Sequence, residues 1–309
     1  MWFRNLTIYR LAAGWSWPAH ALEEALARRA LRPCSALEMT SRGWVAPGPG
    51  ARLVCSAGPH QLIALGIEHK LLPASVVRQE AARRAQVQAK EQGFALGRRQ
   101  LAALRHRVRE ELCARALSRQ RTLRAWIDPT GARILVDSPS DARAEELIDT
   151  LRETLGSLEV RLIDTERSAS SAMAAWLTQG AAPGTLQLDQ DLELQAADAG
   201  RATVRYVRHP FDSREVRPHL ASGKRPTRLG LTWKDRISFV LTDKLQLRRI
   251  AFLELEQPAQ QPEAPASADG DPEAQLEADF TVMAGELAGL LTEVLGALGG
   301  EAAPRKAAA

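Results

Sequence analysis

Cysteine is scarce in this chain. Its three cysteines, Cys34, Cys55 and Cys113, are an odd number without CxxC spacing. That argues against a disulfide framework and a zinc site, and leaves them as small buried hydrophobes in a reducing compartment. Long apolar runs are also missing: no stretch of about 18 apolar residues occurs. Met1 to Arg10 carries charge where a signal peptide has its apolar core, so the chain reads as soluble and cytosolic. Motifs of catalysis are absent too. The six histidines, at 20, 60, 69, 106, 209 and 219, form no HExxH pair, and none lies beside a nucleophile motif. The glycine-bearing loops GPGAR and AAPGT lack the Gly-Lys-Ser/Thr ending of a phosphate-binding loop. Asp128 and Asp137 flank a turn and read as turn-forming or strand-ending residues. No catalytic residue, no metal ligand and no cofactor is therefore expected. The seven tryptophans are spread along the chain, which suits packing better than a base-stacking platform.

What the chain does have is segregated charge. The net formal charge is only +4. Between Arg78 and Arg124, however, thirteen Lys and Arg face four acids, a net +9, and Arg201 to Arg249 repeats the same figures. Glu254 to Glu286 holds nine acids and no basic residue, which hides one block in the total. Such asymmetry speaks of partners more than of fold.

Alternating residues predict a strand over Trp2 to Tyr9. Ser16 and Pro18 open a helix with Leu22, Leu26 and Ala30 on its apolar face, ended by Pro33. A loop at GWVAPGPGAR precedes a strand over Gln61 to Ile67. A long helical pattern starts at Pro73 and Ser75, breaks near Gly93 or Gly97, and runs on to about Ser118. A hairpin pairs Thr122 to Asp128 with Ala132 to Asp137 across DPTG. Ser140 caps a helix that Gly156 ends, and a strand follows over Leu158 to Leu162. A short helix runs through Trp176, another spans Ser213 to Ala221, and three strands, RLGLTW, ISFVL and LRRIAFLELE, follow. The span 257–273 lacks aromatic and large aliphatic residues and reads as a disordered insert rich in Pro and acid. Leu276 to Leu298 is a final helix whose apolar stripe docks on the fold. No βα unit repeats, which favours an α+β fold of mixed helices and antiparallel sheets. The expected regions are 1–75 (α+β), 76–121 (basic helical), 122–165 (α+β), 166–256 (basic, β-rich with short helices), 257–273 (insert) and 274–309 (C-terminal helix and tail).

The most telling stretch is GRRQLAALRHRVREEL, from Gly97 to Leu112. On a helical wheel Leu101, Leu104, Val108 and Leu112 fall within about 80°, and Arg98, Arg105 and Arg109 within about 40° on the adjoining flank. A solvated face balanced by i,i+4 acids is the ordinary reading of a charged helix, but the acids here are too few. Its apolar edge is too narrow for a membrane-surface helix. Phosphate neutralisation is the leading explanation, because the second basic block repeats the signature. No helix-turn-helix, zinc finger or RNA-recognition motif accompanies it, so backbone contacts without base readout are expected.

The strings WFRNLTIYRL, GWVAP, LPASVVRQ, RALSRQRTLRAWID, ILVDSPSDARAEELIDTLRETLGSL and ADFTVMAGELAGLLTEVLGALGGE, taken in order, resemble the RdgC family of recombination-associated proteins of proteobacteria. The resemblance implies a non-enzymatic, nucleoid-associated protein. Its elongated, curved monomer would join a second copy into a ring-shaped homodimer around double-stranded DNA and restrain RecA-promoted strand exchange. Carried over by position, it implies DNA contacts at Arg78, Arg84, Arg98, Arg105, Arg115 and Arg119, at Arg208 and His209 where the family has a Lys-Gln pair, and at Lys224. Gln120 stands where the family member compared has Phe, which sets aside a role for that aromatic. The alternative is a protein-interaction module whose basic surface meets acidic partners such as the RecA filament.

Overall fold

The computed structural model describes residues 2–12, 14–198, 200–210, 212–253 and 271–303. Seven helices and twelve strands lie among them, in the order β1 (Thr7–Leu11), α1 (Ala19–Ala27), β2 (Thr40–Val45), β3 (Val54–Ala57), β4 (His60–Lys70), α2 (Ala74–Gln92), α3 (Arg98–Arg115), β5 (Ser118–Asp128), β6 (Arg133–Val136), α4 (Asp141–Leu155), β7 (Val160–Leu162), α5 (Ala169–Gln179), β8 (Leu186–Ala196), β9 (Thr203–Tyr206), α6 (Ser213–Ala221), β10 (Lys224–Trp233), β11 (Ile237–Thr242), β12 (Leu247–Phe252) and α7 (Pro272–Ala297). The chain forms two compact units. One comprises Met1–Glu23, Ala46–Ile63 and Arg124–Ala309; the other comprises Glu24–Val45 and Ala64–Leu123.

In the larger unit β6 pairs antiparallel with β1 on one side and with the second half of β5 on the other, and β1 also pairs with β7. A separate five-stranded antiparallel sheet runs β12-β11-β10-β8-β9. One core joins these elements, built on Phe3, Trp126, Phe239 and Phe280 with Leu192, Leu194, Leu229 and Leu231. Each such side chain contributes about 1.5–3 kcal/mol by leaving water. Helix α7 supplies Leu276, Phe280, Met283, Ala284, Leu287, Leu290, Leu291, Val294 and Leu295, all buried. It is long and apolar enough to cross a membrane, yet the stripe is consumed by the unit's own core. Two small residues of MAGELAGLL serve the same packing: Ala284 is buried, and a Cβ at Gly289 would come within 3.1 Å of the Trp233 ring.

The smaller unit pairs β2 with the second half of β4, Trp44 opposite Leu65. Lys70, at the end of β4, is buried. Its ammonium donates to the carbonyls of Ser35 at 2.6 Å and Ala36 at 3.2 Å, which satisfies a charge that burial alone would not permit.

Several expectations are corrected. Strand β1 starts at Thr7 rather than Trp2, because the Asp137 carboxylate takes the backbone N–H groups of Arg4 at 3.2 Å and Asn5 at 2.9 Å. Those donors are lost to any ladder. Ala30 is exposed and pairs with Trp44 beyond the end of α1, while Leu22 and Leu26 are buried as expected. Ser140 precedes α4, but its hydroxyl makes no capping bond; Gly156 does end the helix, at φ +77°. Cys34 is only half-buried, whereas Cys55 and Cys113 are buried, and all three are free thiols. Residues 257–270 of the Pro- and acid-rich insert expected over 257–273 lie outside the described residues. Pro272 and Glu273 belong to α7, whose N-cap Asp271 accepts from the Glu273 N–H at 3.0 Å.

Candidate nucleic-acid interface

The basic stretch of the smaller unit folds as a helical hairpin. Gly93, at φ +76°, takes the left-handed conformation that stops α2. Gly97 is extended at the N-cap of α3, and its N–H donates to the Gln100 side chain at 2.9 Å. The break expected near Gly93 or Gly97 therefore uses both glycines. Ala81, Leu104 and Val108 form the seam, with Val77, Ala85, Leu96 and Leu112 packed around it. Ala81 has no side chain beyond Cβ, so the helices approach closely there. A bond of 2.6 Å between Arg84 on α2 and Glu111 on α3 spans the hairpin, and the five-residue connection, 93–97, makes the helices antiparallel.

That geometry sorts the arginines. In an antiparallel pair the flanks of equal sense, measured from each seam, lie on one face. Arg98, Arg105 and Arg109 sit about 100–140° from Leu104, and Arg78 about 60° from Ala81 in the same sense. These four share a face. Arg84 and Glu111 lie on the opposite sense, in agreement with their bond. There Glu80 gathers Arg83 at 2.7 Å and Arg84 at 2.8 Å. Hydrogen bonds from Arg83 and Arg84 hold the Glu80 carboxyl down at about 2.

The first face is built differently. Arg98, Arg105 and Arg109 are exposed, and no carboxylate lies within salt-bridge distance of them among the described residues. Among the described residues the Arg78 guanidinium hydrogen-bonds only its own helix, Nε to the Ala74 carbonyl at 3.4 Å. Arg98 and Arg99 also begin α3, which has no acid in its first turn. Cations at the positive end of a helix dipole cost about 0.3–1 kcal/mol each. The local sequence thus sacrifices helix stability to keep positive charge there, an arrangement that attracts anions.

The remaining expected contacts fall as follows. Arg115 closes the last turn of α3 and is exposed, as are Arg119 and Gln120 at the start of β5. In the larger unit Arg208 and His209 occupy the turn after β9. Arg208 is left-handed, with φ +49°, and its backbone N–H donates to Asp191 at 3.1 Å. The His209 ring stacks on Tyr206, centroids 6.0 Å apart. Lys224 opens β10, its ammonium 3.1 Å from the Ser222 hydroxyl. Six candidates thus belong to the smaller unit and three to the larger. Arg84 has both ends of its guanidinium committed to carboxylates. Arg109, which the helical wheel flags and positional carry-over omits, joins the unpaired face.

The family model described as "Putative exonuclease, RdgC" matches residues 1–301. Relatives named "Recombination-associated protein RdgC" align along almost the whole chain. The one from Dechloromonas aromatica is 45% identical over 99% of this chain and 100% of its own. That from Cupriavidus pinatubonensis is 43% identical over 97% and 99%, and that from Bordetella pertussis 41% identical over 97% and 99%.

Proposed function

The chain belongs to the RdgC family, and on that premise we propose that it binds double-stranded DNA through phosphate contacts, without sequence preference, and restrains RecA-dependent recombination. The observation that carries the binding step is the unpaired face of the α2–α3 hairpin, where Arg98, Arg105 and Arg109 stand clear of carboxylates. Guanidinium groups left without internal acids find their counter-charge in an external polyanion. Arg105 and Arg109 lie one helical turn apart, about 6 Å along the axis, so adjacent arginines address successive phosphates of one strand. Among the described residues no element presents a recognition helix in a known docking motif, in keeping with sequence-tolerant binding. The full reading is a nucleoid-associated, ring-shaped homodimer with DNA passing through it.

The test is a salt titration of affinity for unrelated duplexes. The wild-type chain is expected to give similar affinities and a steep negative slope of log affinity against log salt. Arg105→Gln lowers that slope by about 0.9, one phosphate contact, whereas Arg84→Gln leaves it unchanged because Arg84 is spent on Glu80 and Glu111. A salt-independent affinity, or dependence on one short site, defeats the proposal. Incubation of labelled duplex with the protein and magnesium exposes strand cleavage if the family's description as a putative exonuclease applies here.

A further inference from the structure

A second basic cluster lies on the five-stranded sheet of the larger unit, at residues no motif singles out. Strand register builds it. Asp191 and Glu193 are two residues apart on β8 and leave the same face, opposite to buried Leu192 and Leu194. Across from Glu193 stand Arg205 on β9 and Arg228 on β10. Arg205 donates to one Glu193 oxygen, from Nε at 2.9 Å. Arg228 Nε lies 3.8 Å from the other, which also accepts the Thr227 hydroxyl at 2.9 Å. Arg249, inside the register shift between β11 and β12, donates to Asp191 at 2.7 Å. Between these side chains lies a cavity of about 360 Å³, lined also by Val207 and Val240.

The carboxylates sit low and the guanidinium groups stand at the rim. The Glu193 side chain is 11% exposed, those of Arg205 and Arg228 are 58% and 45%, and Arg249 is 64%. Each guanidinium has five N–H donors. The bonds described use two on Arg205 and one on Arg249; the Arg228 contact is too long to be a hydrogen bond. Most donors therefore remain, on three side chains that line one cavity. Three cations over two anions leave the lining positive. Prepositioned guanidinium donors match phosphate oxygens in geometry and charge.

We propose that the Arg205–Arg228–Arg249 cleft is a phosphate-binding site, separate from the α2–α3 hairpin. It takes the phosphate either of a nucleic-acid strand or of a small free anion, and it does not rest on the hairpin's role. The experiment is calorimetric titration of the full-length protein with inorganic pyrophosphate and, separately, with short oligothymidylate, using the wild type, Arg228→Gln and Arg249→Gln. Both replaced side chains are largely exposed, and the thermal midpoint of each variant confirms its fold. Each substitution is expected to weaken binding roughly tenfold. A loss seen with pyrophosphate identifies a small-anion site; a loss confined to the oligonucleotide, with a shallower salt slope, identifies a strand site. Folded variants that bind both probes as tightly as the wild type, or a wild type that binds neither, overturn the proposal. Arg105→Gln serves as the control: its effect on duplex binding reports on the hairpin alone, so the two readings fail separately.

Discussion

Glu80 shows how single residues divide one charged helix pair into a structural face and a binding face. With its carboxyl held at about 2 by Arg83 and Arg84, it binds protons less readily folded than unfolded. Its stabilising effect is therefore complete above the ordinary carboxyl value of 4.5 and is lost as pH falls through about 2. Glu80→Gln is expected to melt below the wild type at neutral pH, with the difference shrinking from pH 4.5 towards 2. Thermal melts across that range check it, and a difference that does not change with pH would show that the pair is not the cause. The wheel placed Arg98, Arg105 and Arg109 on one flank from sequence alone. Glu80 is an i,i+4 neighbour of Arg84 that the wheel can show, but the second partner, Glu111, lies 27 residues away on another helix and is invisible to it.

At the scale of elements, α7 has the clearest fate. Its apolar positions repeat at helical spacing, so helix and buried stripe were both legible; that the stripe packs on Trp126 and Trp233 was not. Phe280 meets Trp126 edge to face at 6.5 Å. Leu287→Ala, at a fully buried site, is expected to cost about 2–5 kcal/mol, read as the shift in denaturant midpoint. A loss below about 1 kcal/mol would be too small for removal of a packed core leucine and would indicate that α7 is not docked as described. The hairpin breaks, the Gly156 stop of α4 and the span of α6 were readable because glycine, proline and turn residues act locally. β1 was overextended because Asp137, far along the chain, captures the amides that would have begun it.

For the whole molecule, each unit carries one of the two basic blocks, save that Arg124, the last residue of the first, belongs to the larger unit. If the dimer closes around duplex, release from closed circles is expected to be slower than from linear DNA of the same length, since a circle has no end to slide from. Competition-chase dissociation measures this, and equal rates on both would remove encirclement while leaving phosphate binding in place.

The sequence by itself determined the helices and most strands, the segregation of charge and the arginine flank of α3, because periodicity, turn chemistry and net charge are local properties of a chain. Only tertiary structure decided which arginines are spent on carboxylates and which remain. It also decided that Arg205, Arg228 and Arg249, up to 44 residues apart in the numbering, share one cavity. Strand register and helix pairing set those outcomes, and both arise from contacts between residues that lie far apart along the chain.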